Sequence, residues 1–211
     1  EVLGAHRFDI LHFHEPFVPF LSPTVLDASE TVNIATFHAF GGFSPREKRQ
    51  IAENLAEHWG LHADTASELI EQPLPAKAVA EMKALPDEIK AKLAADESLI
   101  SPEDALELIK SPSAAGIFNI KLMKCGGISQ GLKIADIALH QDVDLFWGCN
   151  DESIVSITAA LHTAFACSNT RYIDLDGSLD LENDVVKDGF ILKDGVMSCS
   201  GKAGLGVERI R

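Results

Sequence analysis

The 211-residue sequence predicts an α/β fold, in which parallel β/α units form part of a barrel. Two observations lead to this prediction. Apolar segments of strand length alternate with helical segments, which is typical of parallel β/α units. From residue 68 onwards, residues with reactive side chains end successive predicted strands at a nearly constant interval. A barrel places such strand ends around one mouth, where the active sites of this architecture lie.

Short apolar segments have the length and composition of strands. They cover Phe8–His14, Val32–His38, Glu68–Glu71, Lys92–Asp96, Ile117–Met123, Asp144–Gly148 and Arg171–Asp176. Segments with helical patterning cover Ser44–Trp59, Ala76–Leu85, Pro102–Lys110, Ser129–His140 and Ser153–Cys167. Ser101 is a suitable N-cap for the third helix, since Asp104 follows three residues later. The tail after Asp188 contains five glycines and predicts short strands and turns.

The residues that end the later strands are evenly spaced. Glu71, Asp96, Lys121, Cys149 and Asp174 follow one another at intervals of 25, 25, 28 and 25 residues. This spacing predicts that successive β/α units present these side chains to one cavity. The alternative is that polar residues end strands in any α/β protein without forming a shared site.

Composition excludes several classes of function. Acidic residues outnumber basic ones by 32 to 18, and such a surface disfavours general binding to nucleic acid. No apolar run approaches about 18 residues, so the sequence predicts no membrane span. The four cysteines form no C-x-x-C pair, which predicts reduced thiols and a cytoplasmic location. The chain begins with Glu1 and shows no signal peptide, so we expect a fragment or a processed chain.

Two acidic residues at strand ends predict a metal site. Glu71 and Asp96 each follow an apolar stretch, so their carboxylates should project at the strand ends. Carboxylates that meet at a barrel mouth repel each other unless a cation lies between them. A hard cation such as Mg²⁺ prefers oxygen ligands of this kind. The alternative is that either carboxylate only caps the following helix.

Lys121, Asp174 and Asp176 predict groups that act on a substrate. A lysine that loses hydration inside a barrel mouth is a usable general base. Side chains alternate between the faces of a strand, so Lys121 should share a face with Met123, and the two aspartates should share a face of the last strand. Two carboxylates on one face suit an ammonium ion or a second metal. The alternative for Lys121 is a structural ion pair.

Cys149 and Asp151 follow the strand that ends near Gly148. A cysteine nucleophile would need a histidine partner and an oxyanion site, and the sequence shows no such motif. We therefore expect Cys149 and Asp151 to shape the substrate pocket.

These strand-end motifs resemble the enolase superfamily in its muconate-lactonizing branch, and most closely the dipeptide epimerases of L-Ala-D/L-Glu type. The matching segments are ELIEQPLPA, LAADESLISPEDAL, FNIKLMKCGGISQGLKIADIA, WGCNDESIVSITAALH and YIDLDGSLDL. They occur in the order of the family and cover about residues 66 to 210. The resemblance implies a (β/α)₇β TIM-type barrel with Mg²⁺ at its mouth.

The resemblance also implies roles for individual residues. Glu71 and Asp96 match two of the family's three metal ligands, and Lys121 matches its general base. Asp174 and Asp176 match the pair that holds the ammonium group of the dipeptide. The implied reaction removes a proton from the carbon α to a carboxylate and returns a proton on the opposite face.

The first third of the chain departs from this family pattern. The capping domain, a Lys-x-Lys on the second strand and an Asp that ends the third strand are not visible. His12-Phe13-His14 has the spacing of that Lys-x-Lys, and His38 stands where the family has Asp. Residues 1–45 instead resemble the Rossmann-like strand pair of a family 4 glycosyltransferase of the GT-B fold, in FDILHFHEPFVPFLS and VNIATFHAFGGFSP. We therefore expect a glycosyltransferase-like segment at 1–45 and a barrel portion at 46–211.

The sequence as a whole predicts Mg²⁺-dependent dipeptide epimerisation with impaired turnover, because the second lysine base and the third carboxylate ligand are missing. The alternatives are a glycosyltransferase fragment and a non-catalytic chain that binds a dipeptide or a metal. The predicted partner is a small-molecule dipeptide, with no nucleic acid and no membrane. The open strand edges of an incomplete barrel also predict homo-oligomers or aggregation, unless residues 1–45 complete the sheet.

Overall fold

The computed structural model describes residues 10–14, 32–36, 69–193 and 195–210. The strands are β1 (Ile10–His14), β2 (Val32–Thr36), β3 (Leu69–Glu71), β4 (Leu93–Ala95), β5 (Ile117–Ile120), β6 (Asp144–Trp147), β7 (Thr170–Ile173), β8 (Val186–Asp188), β9 (Phe190–Lys193), β10 (Val196–Cys199) and β11 (Val207–Arg209). The helices are α1 (Val79–Lys83), α2 (Asp87–Lys90), α3 (Pro102–Ile109), α4 (Leu122–Cys125), α5 (Ile128–Leu139) and α6 (Ile154–Ala166). The residues divide into two compact units. The first extends to Ser98 and includes Leu108–Ile117, and the second holds Leu99–Glu107 and Phe118 onwards.

Parallel strands form the sheet of the first unit, in the order β1-β2-β3-β4. Thr36 pairs with Glu71, and Glu71 pairs with Ala94, so the carboxyl ends of β2, β3 and β4 lie at one edge. Every residue of β3 and β4 is buried, which is typical of parallel strands covered on both faces. The two N-terminal strands therefore join the same parallel sheet as β3, as an extension of the predicted β/α pattern.

The second unit contains β5, β6 and β7 in that order, and β6 runs parallel to β7. Phe118 and Trp147 are fully buried between these strands and the helices, and the Trp147 indole N–H donates to Thr170 Oγ1 at 3.0 Å. Helix α6 buries Ile157 and Leu161 on the same core. The glycine-rich tail forms the antiparallel pairs β9–β10 and β8–β11, which confirms the predicted short strands and turns.

Most predicted strands and helices are present, with ends that differ by a few residues. The predicted cap of α3 is confirmed: the Asp104 N–H donates to Ser101 Oγ at 3.1 Å, and Ser101 Oγ donates to the Asp104 carboxylate at 2.9 Å. Helix α1 is shorter than predicted, and α2, which begins after Pro86, was not predicted. The predicted helix Ser44–Trp59 lies outside the described residues. Within the described ranges, no helix is both long and apolar enough to cross a membrane.

Two predicted strands were too long, and both errors concern site residues. Strand β5 ends at Ile120 and α4 begins at Leu122, so Met123 does not share a strand face with Lys121. This helical turn closes at Gly126, whose φ of 87° lies in the left-handed region that glycine adopts without strain.

The second overlong prediction concerns the last strand of the sheet. Strand β7 ends at Ile173, so Asp174 and Asp176 follow the strand instead of lying on it. The chain turns there because the Leu179 N–H donates to the Asp176 carbonyl at 2.7 Å, across Gly177.

Candidate active site

Two buried carboxylates lie at one edge of the sheet in the first unit. Glu71 is the last residue of β3 and is 5% exposed, and Asp96 directly follows β4 and is 2% exposed. Because β3 and β4 are parallel neighbours, their carboxyl ends bring both residues to the same edge. Both residues thus stand at the ends of neighbouring strands, and their role in a metal site stays a prediction.

Gln72 holds the two strand ends together, and sequence reasoning missed it. Its Oε1 accepts hydrogen bonds from the Asp96 N–H at 2.8 Å and from the Ser98 N–H at 3.2 Å. Its Nε2 donates to the Leu74 carbonyl at 2.7 Å. The residue is fully buried and has a φ of 39°, which is rare for a residue other than glycine. The signal in the sequence is a polar amide between the end of the strand and the two prolines of E-Q-P-L-P.

The chemistry of Glu71 and Asp96 fits a bound Mg²⁺. Burial of ionised carboxylates is costly unless hydrogen bonds or a cation compensate their charge. Carboxylate oxygens are also the ligands that Mg²⁺ prefers. Among residues 69–193 and 195–210, no group of three or more His, Cys, Asp or Glu side chains could hold a metal ion. The role of Glu71 and Asp96 as metal ligands therefore stays a prediction that concerns a pair of carboxylates.

Lys121 lies at the end of β5 in the second unit. Its backbone is extended, and it occupies the N-cap position of α4. The side chain is half-buried and passes over Gly148, at the end of β6. A Cβ built on Gly148 would lie 3.1 Å from Lys121 Cε and 2.5 Å from Asn119 Oδ1. Gly148 therefore leaves the space that the lysine side chain occupies, which sequence reasoning did not foresee.

Cys149 contacts the segment that follows β7. Its Sγ lies 3.8 Å from Asp176 Oδ1, and the Gly177 N–H donates to this sulfur at 3.3 Å. Burial, together with the nearby carboxylates of Asp174, Asp176 and Glu152, raises the pKa of the Cys149 thiol to about 12, although the hydrogen bond from the Gly177 N–H acts in the opposite direction. The thiol therefore stays protonated at neutral pH.

Asp174 and Asp176 line one cavity of about 280 Å³. The Asp174 N–H donates to the Trp147 carbonyl at 2.9 Å, which fixes the backbone just beyond β7. The remaining lining is mostly apolar and consists of Leu161, Ile173, Leu175, Leu179, Leu192, Gly195 and Met197. Leu175 is buried, whereas Asp174 is half-buried and Asp176 is exposed. The alternation between buried and more exposed side chains that is typical of a strand thus continues beyond the end of β7.

Asp151 and Glu152 are neighbours in sequence but differ in exposure. Asp151 is exposed, and its contribution to a pocket stays a prediction. Glu152 is 3% exposed, accepts a hydrogen bond from the Asn150 N–H at 2.9 Å and also accepts one from the Ser156 hydroxyl. Glu152 therefore fixes the loop that carries Cys149, between β6 and α6.

Two curated proteins are similar to this chain over most of its length. The chain is 57% identical over 143 residues to an L-Lys-D/L-Arg epimerase of Desulforapulum autotrophicum, covering 68% of this chain and 40% of that protein. It is 37% identical over 169 residues to an L-Ala-D/L-Glu epimerase of Clostridium acetobutylicum, covering 80% of this chain and 46% of that protein. The chain thus spans less than half the length of these curated relatives.

A solved structure extends the comparison to three dimensions. The crystal structure of a dipeptide epimerase from Methylococcus capsulatus, complexed with Mg and the dipeptide L-Arg-D-Lys, matches with a TM-score of 0.78 and 40% identity. The match covers 95% of this chain and 56% of that one. It confirms the predicted α/β fold class, part of a barrel of parallel β/α units.

The family model for enolase C-terminal domain-like proteins matches residues 32–209. It begins inside the segment 1–45 for which the sequence predicted a glycosyltransferase-like strand pair, so β2 falls within the match. The boundary between residues 45 and 46 stays a prediction. The chain belongs to the enolase C-terminal domain-like family.

Proposed function

We propose that the chain carries the Mg²⁺-dependent epimerisation of a dipeptide, with reduced turnover. The observation that supports this most strongly is the 57% identity to an L-Lys-D/L-Arg epimerase. The family match includes β2, and this disfavours the glycosyltransferase alternative.

Lys121 is the proposed general base. Its amine removes the proton from the carbon α to the substrate carboxylate. Two observations support this role. The backbone of Lys121 is extended at the end of β5, and Gly148 has no side chain, which leaves the space that the lysine side chain occupies. A positioned base contributes about 10²- to 10⁴-fold to such a proton transfer.

Glu71 and Asp96 are the proposed Mg²⁺ ligands, which their burial and oxygen chemistry support. When bound, Mg²⁺ supplies positive charge that stabilises the negative charge developing on the substrate carboxylate. Gln72 fixes the backbone at Asp96 and so keeps the second ligand in place.

Asp174 and Asp176 are proposed to hold the ammonium group of the dipeptide. Both line the same cavity, and each carboxylate accepts hydrogen bonds from an ammonium ion. Cys149 and Asp151 are proposed to line the remaining pocket.

The proposed substrate class is a dipeptide of basic residues. The sequence alone suggested the L-Ala-D/L-Glu type, but identity is 57% to the L-Lys-D/L-Arg epimerase and 37% to the L-Ala-D/L-Glu epimerase. The excess of 14 negative charges also favours a cationic substrate.

Reduced turnover is proposed because epimerisation needs a second base on the opposite face of the substrate. The family resemblance implies a lysine pair on the second strand, whereas this chain has His12 and His14 at the same spacing, in β1. We propose that Lys121 exchanges the α-proton with solvent more efficiently than the chain inverts the carbon.

The first test is proton exchange followed by NMR in D₂O. The chain is incubated with Mg²⁺ and either L-Lys-L-Arg or L-Ala-L-Glu. We expect the Cα–H signal to disappear faster for L-Lys-L-Arg, with little inversion. Lys121→Ala should slow the exchange by at least about 100-fold and leave Mg²⁺ binding unchanged. Lys124→Ala, in the helical turn that follows, is the matched control and should stay near the unchanged rate.

The other outcomes separate the parts of the proposal. Exchange with full inversion would mean that the chain supplies a second base and that turnover is not reduced. Mg²⁺ binding without exchange would favour a non-catalytic binding chain. Absence of both would contradict the metal site and the epimerase proposal together.

We also propose a cytoplasmic chain that self-associates. Large apolar side chains are exposed in the C-terminal part, among them Val185 at 69% and Val196 at 66%. Such surface favours association. Light scattering during size-exclusion chromatography should give a mass at least twice that of the monomer.

A further inference from the structure

Cys149 connects two segments that follow neighbouring strands. Its thiol reaches the Asp176 carboxylate at 3.8 Å and accepts a hydrogen bond from the Gly177 N–H at 3.3 Å. The sulfur therefore touches the side chain of one residue and the backbone of the next. Since the two segments are 27 residues apart in sequence, this contact is independent of local chain geometry.

Gly177 makes this close approach feasible. A Cβ on Gly177 would overlap the Asn150 carbonyl oxygen and lie 3.1 Å from the Cys149 sulfur. The backbone of the loop after β6 therefore packs directly against the turn after β7. This packing holds the sulfur at a fixed place beside Asp176, whose own side chain is exposed.

The thiol retains the proton that it needs as a donor. Burial and the carboxylates of Asp174, Asp176 and Glu152 raise the pKa of Cys149 to about 12. A neutral S–H group donates weakly to a carboxylate and adds no charge to a site that is already acidic.

We propose that Cys149 is a positioning residue, whose S–H group holds the Asp176 carboxylate at the wall of the cavity that it shares with Asp174. This inference rests on the proposed function, in which the two aspartates hold the dipeptide ammonium group. Without this contact, an exposed aspartate populates several rotamers, and ligand binding loses entropy because it restricts the side chain to one of them. Cys149 thereby increases affinity for the ammonium group without touching it.

The test measures dipeptide binding by calorimetry in the presence of Mg²⁺. The probes are L-Lys-L-Arg and its Nα-acetylated form, which lacks the α-ammonium group. Cys149→Ala should weaken binding of the free dipeptide by about fivefold and leave the acetylated one unchanged. Cys149→Ser should recover affinity to within about twofold, since a hydroxyl donates to the same carboxylate. Cys167→Ala, a half-buried cysteine outside the cavity lining, is the control.

A second measurement tests the contact independently of any activity. Iodoacetamide alkylation at pH 9 is followed by mass spectrometry, with Cys167 as the internal reference. Asp176→Asn removes the adjacent negative charge and should speed alkylation of Cys149 about threefold or more, because more thiolate forms. Cys167 should be alkylated at an unchanged rate.

The two measurements distinguish failure of this proposal from failure of the proposed function. An unchanged alkylation rate in Asp176→Asn would overturn the positioning role. Equal weakening of both dipeptides by Cys149→Ala, or no weakening, would also overturn it. If the free dipeptide binds in a Cys149-dependent way and no α-proton exchange occurs, the positioning role stands and the epimerase proposal fails.

Discussion

The carboxylates of the two compact units differ in their surroundings. Glu71 and Asp96, in the first unit, are buried at the ends of short strands that are themselves completely buried. Asp174 and Asp176, in the second unit, follow a strand and lie half-buried or exposed at an open cavity. A group that holds a permanent ion benefits from burial, because low dielectric strengthens its attraction to the cation. A group that binds and releases a substrate must stay accessible.

The surroundings of the two pairs are also built differently. The first unit fixes its pair through Gln72, a buried amide that accepts and donates hydrogen bonds across β3 and β4. In the second unit, Gly148 and Gly177 have no side chains, and this leaves room for neighbouring atoms close to their backbone. We therefore expect substitutions in the first unit to change metal binding and stability, and those in the second to change turnover and substrate affinity.

The largest expected effect is loss of metal affinity. Glu71→Gln and Asp96→Asn each replace a buried anion with a neutral amide of similar shape. Each should weaken Mg²⁺ binding by about tenfold to 100-fold, because a charged ligand contributes about 1.5 to 3 kcal/mol. Calorimetric titration with Mg²⁺ measures this loss. Glu97→Gln changes the exposed neighbour of Asp96 and is the control. Equal affinity in all three variants would assign the buried pair a purely structural role.

Gln72 provides the second test, on stability. Gln72→Leu keeps the approximate volume but leaves the N–H groups of Asp96 and Ser98 and the Leu74 carbonyl without this partner. The free energy of unfolding in urea should fall by about 3 kcal/mol, since each buried unsatisfied group costs about 1 to 3 kcal/mol. Ser98→Ala removes only one hydroxyl and should cost about 1 kcal/mol. A loss below about 0.5 kcal/mol for Gln72→Leu would mean that water replaces the amide.

Gly148 provides the third test, on turnover. Gly148→Ala would place a methyl group 2.5 Å from Asn119 Oδ1, which must shift, and 3.1 Å from Lys121 Cε, which must also give way slightly. Proton exchange should fall by about tenfold, because a small displacement of a catalytic group already slows the reaction. Mg²⁺ affinity should not change.

The matched control for this glycine lies in helix α5. A methyl group on Gly131 would meet the flexible end of Leu122 at 3.1 Å and has no contact with Lys121. Gly131→Ala should therefore leave the exchange rate within about twofold. If both variants lose the same activity, the effect belongs to packing of the second unit and not to the position of the lysine.

Patterns along the chain predicted the buried elements and failed where structure depends on partners distant in sequence. Strands β3 to β6 were found because apolar runs mark buried parallel strands. The helical turn at Leu122 was missed, since N-I-K-L-M-K reads equally well as a continued strand. The positions of Glu71, Asp96 and Lys121 followed from strand ends. Gln72 was missed because its partners lie up to 26 residues away.

The smallest expected effect concerns the pH dependence of stability. The pKa of Cys149 is raised in the folded chain to about 12, from an ordinary value of 9.0. The folded state therefore holds this proton more tightly than the unfolded state, so the thiol contributes stability below pH 9. That contribution is lost as pH rises from 9 towards 12.

Urea unfolding of the unmodified chain and of Cys149→Ala at pH 7, 8, 9 and 10 tests this dependence. The difference in unfolding free energy between the two should be constant up to about pH 8.5 and decline above it, by less than about 1 kcal/mol per pH unit because the thiol is only half-buried. Cys125 and Cys167 also have raised pKa values, but both are present in each protein and cancel in the difference. A difference that stays constant to pH 10 would mean that the thiol ionises alike in the folded and unfolded chains, so that neither burial nor the neighbouring carboxylates raise its pKa.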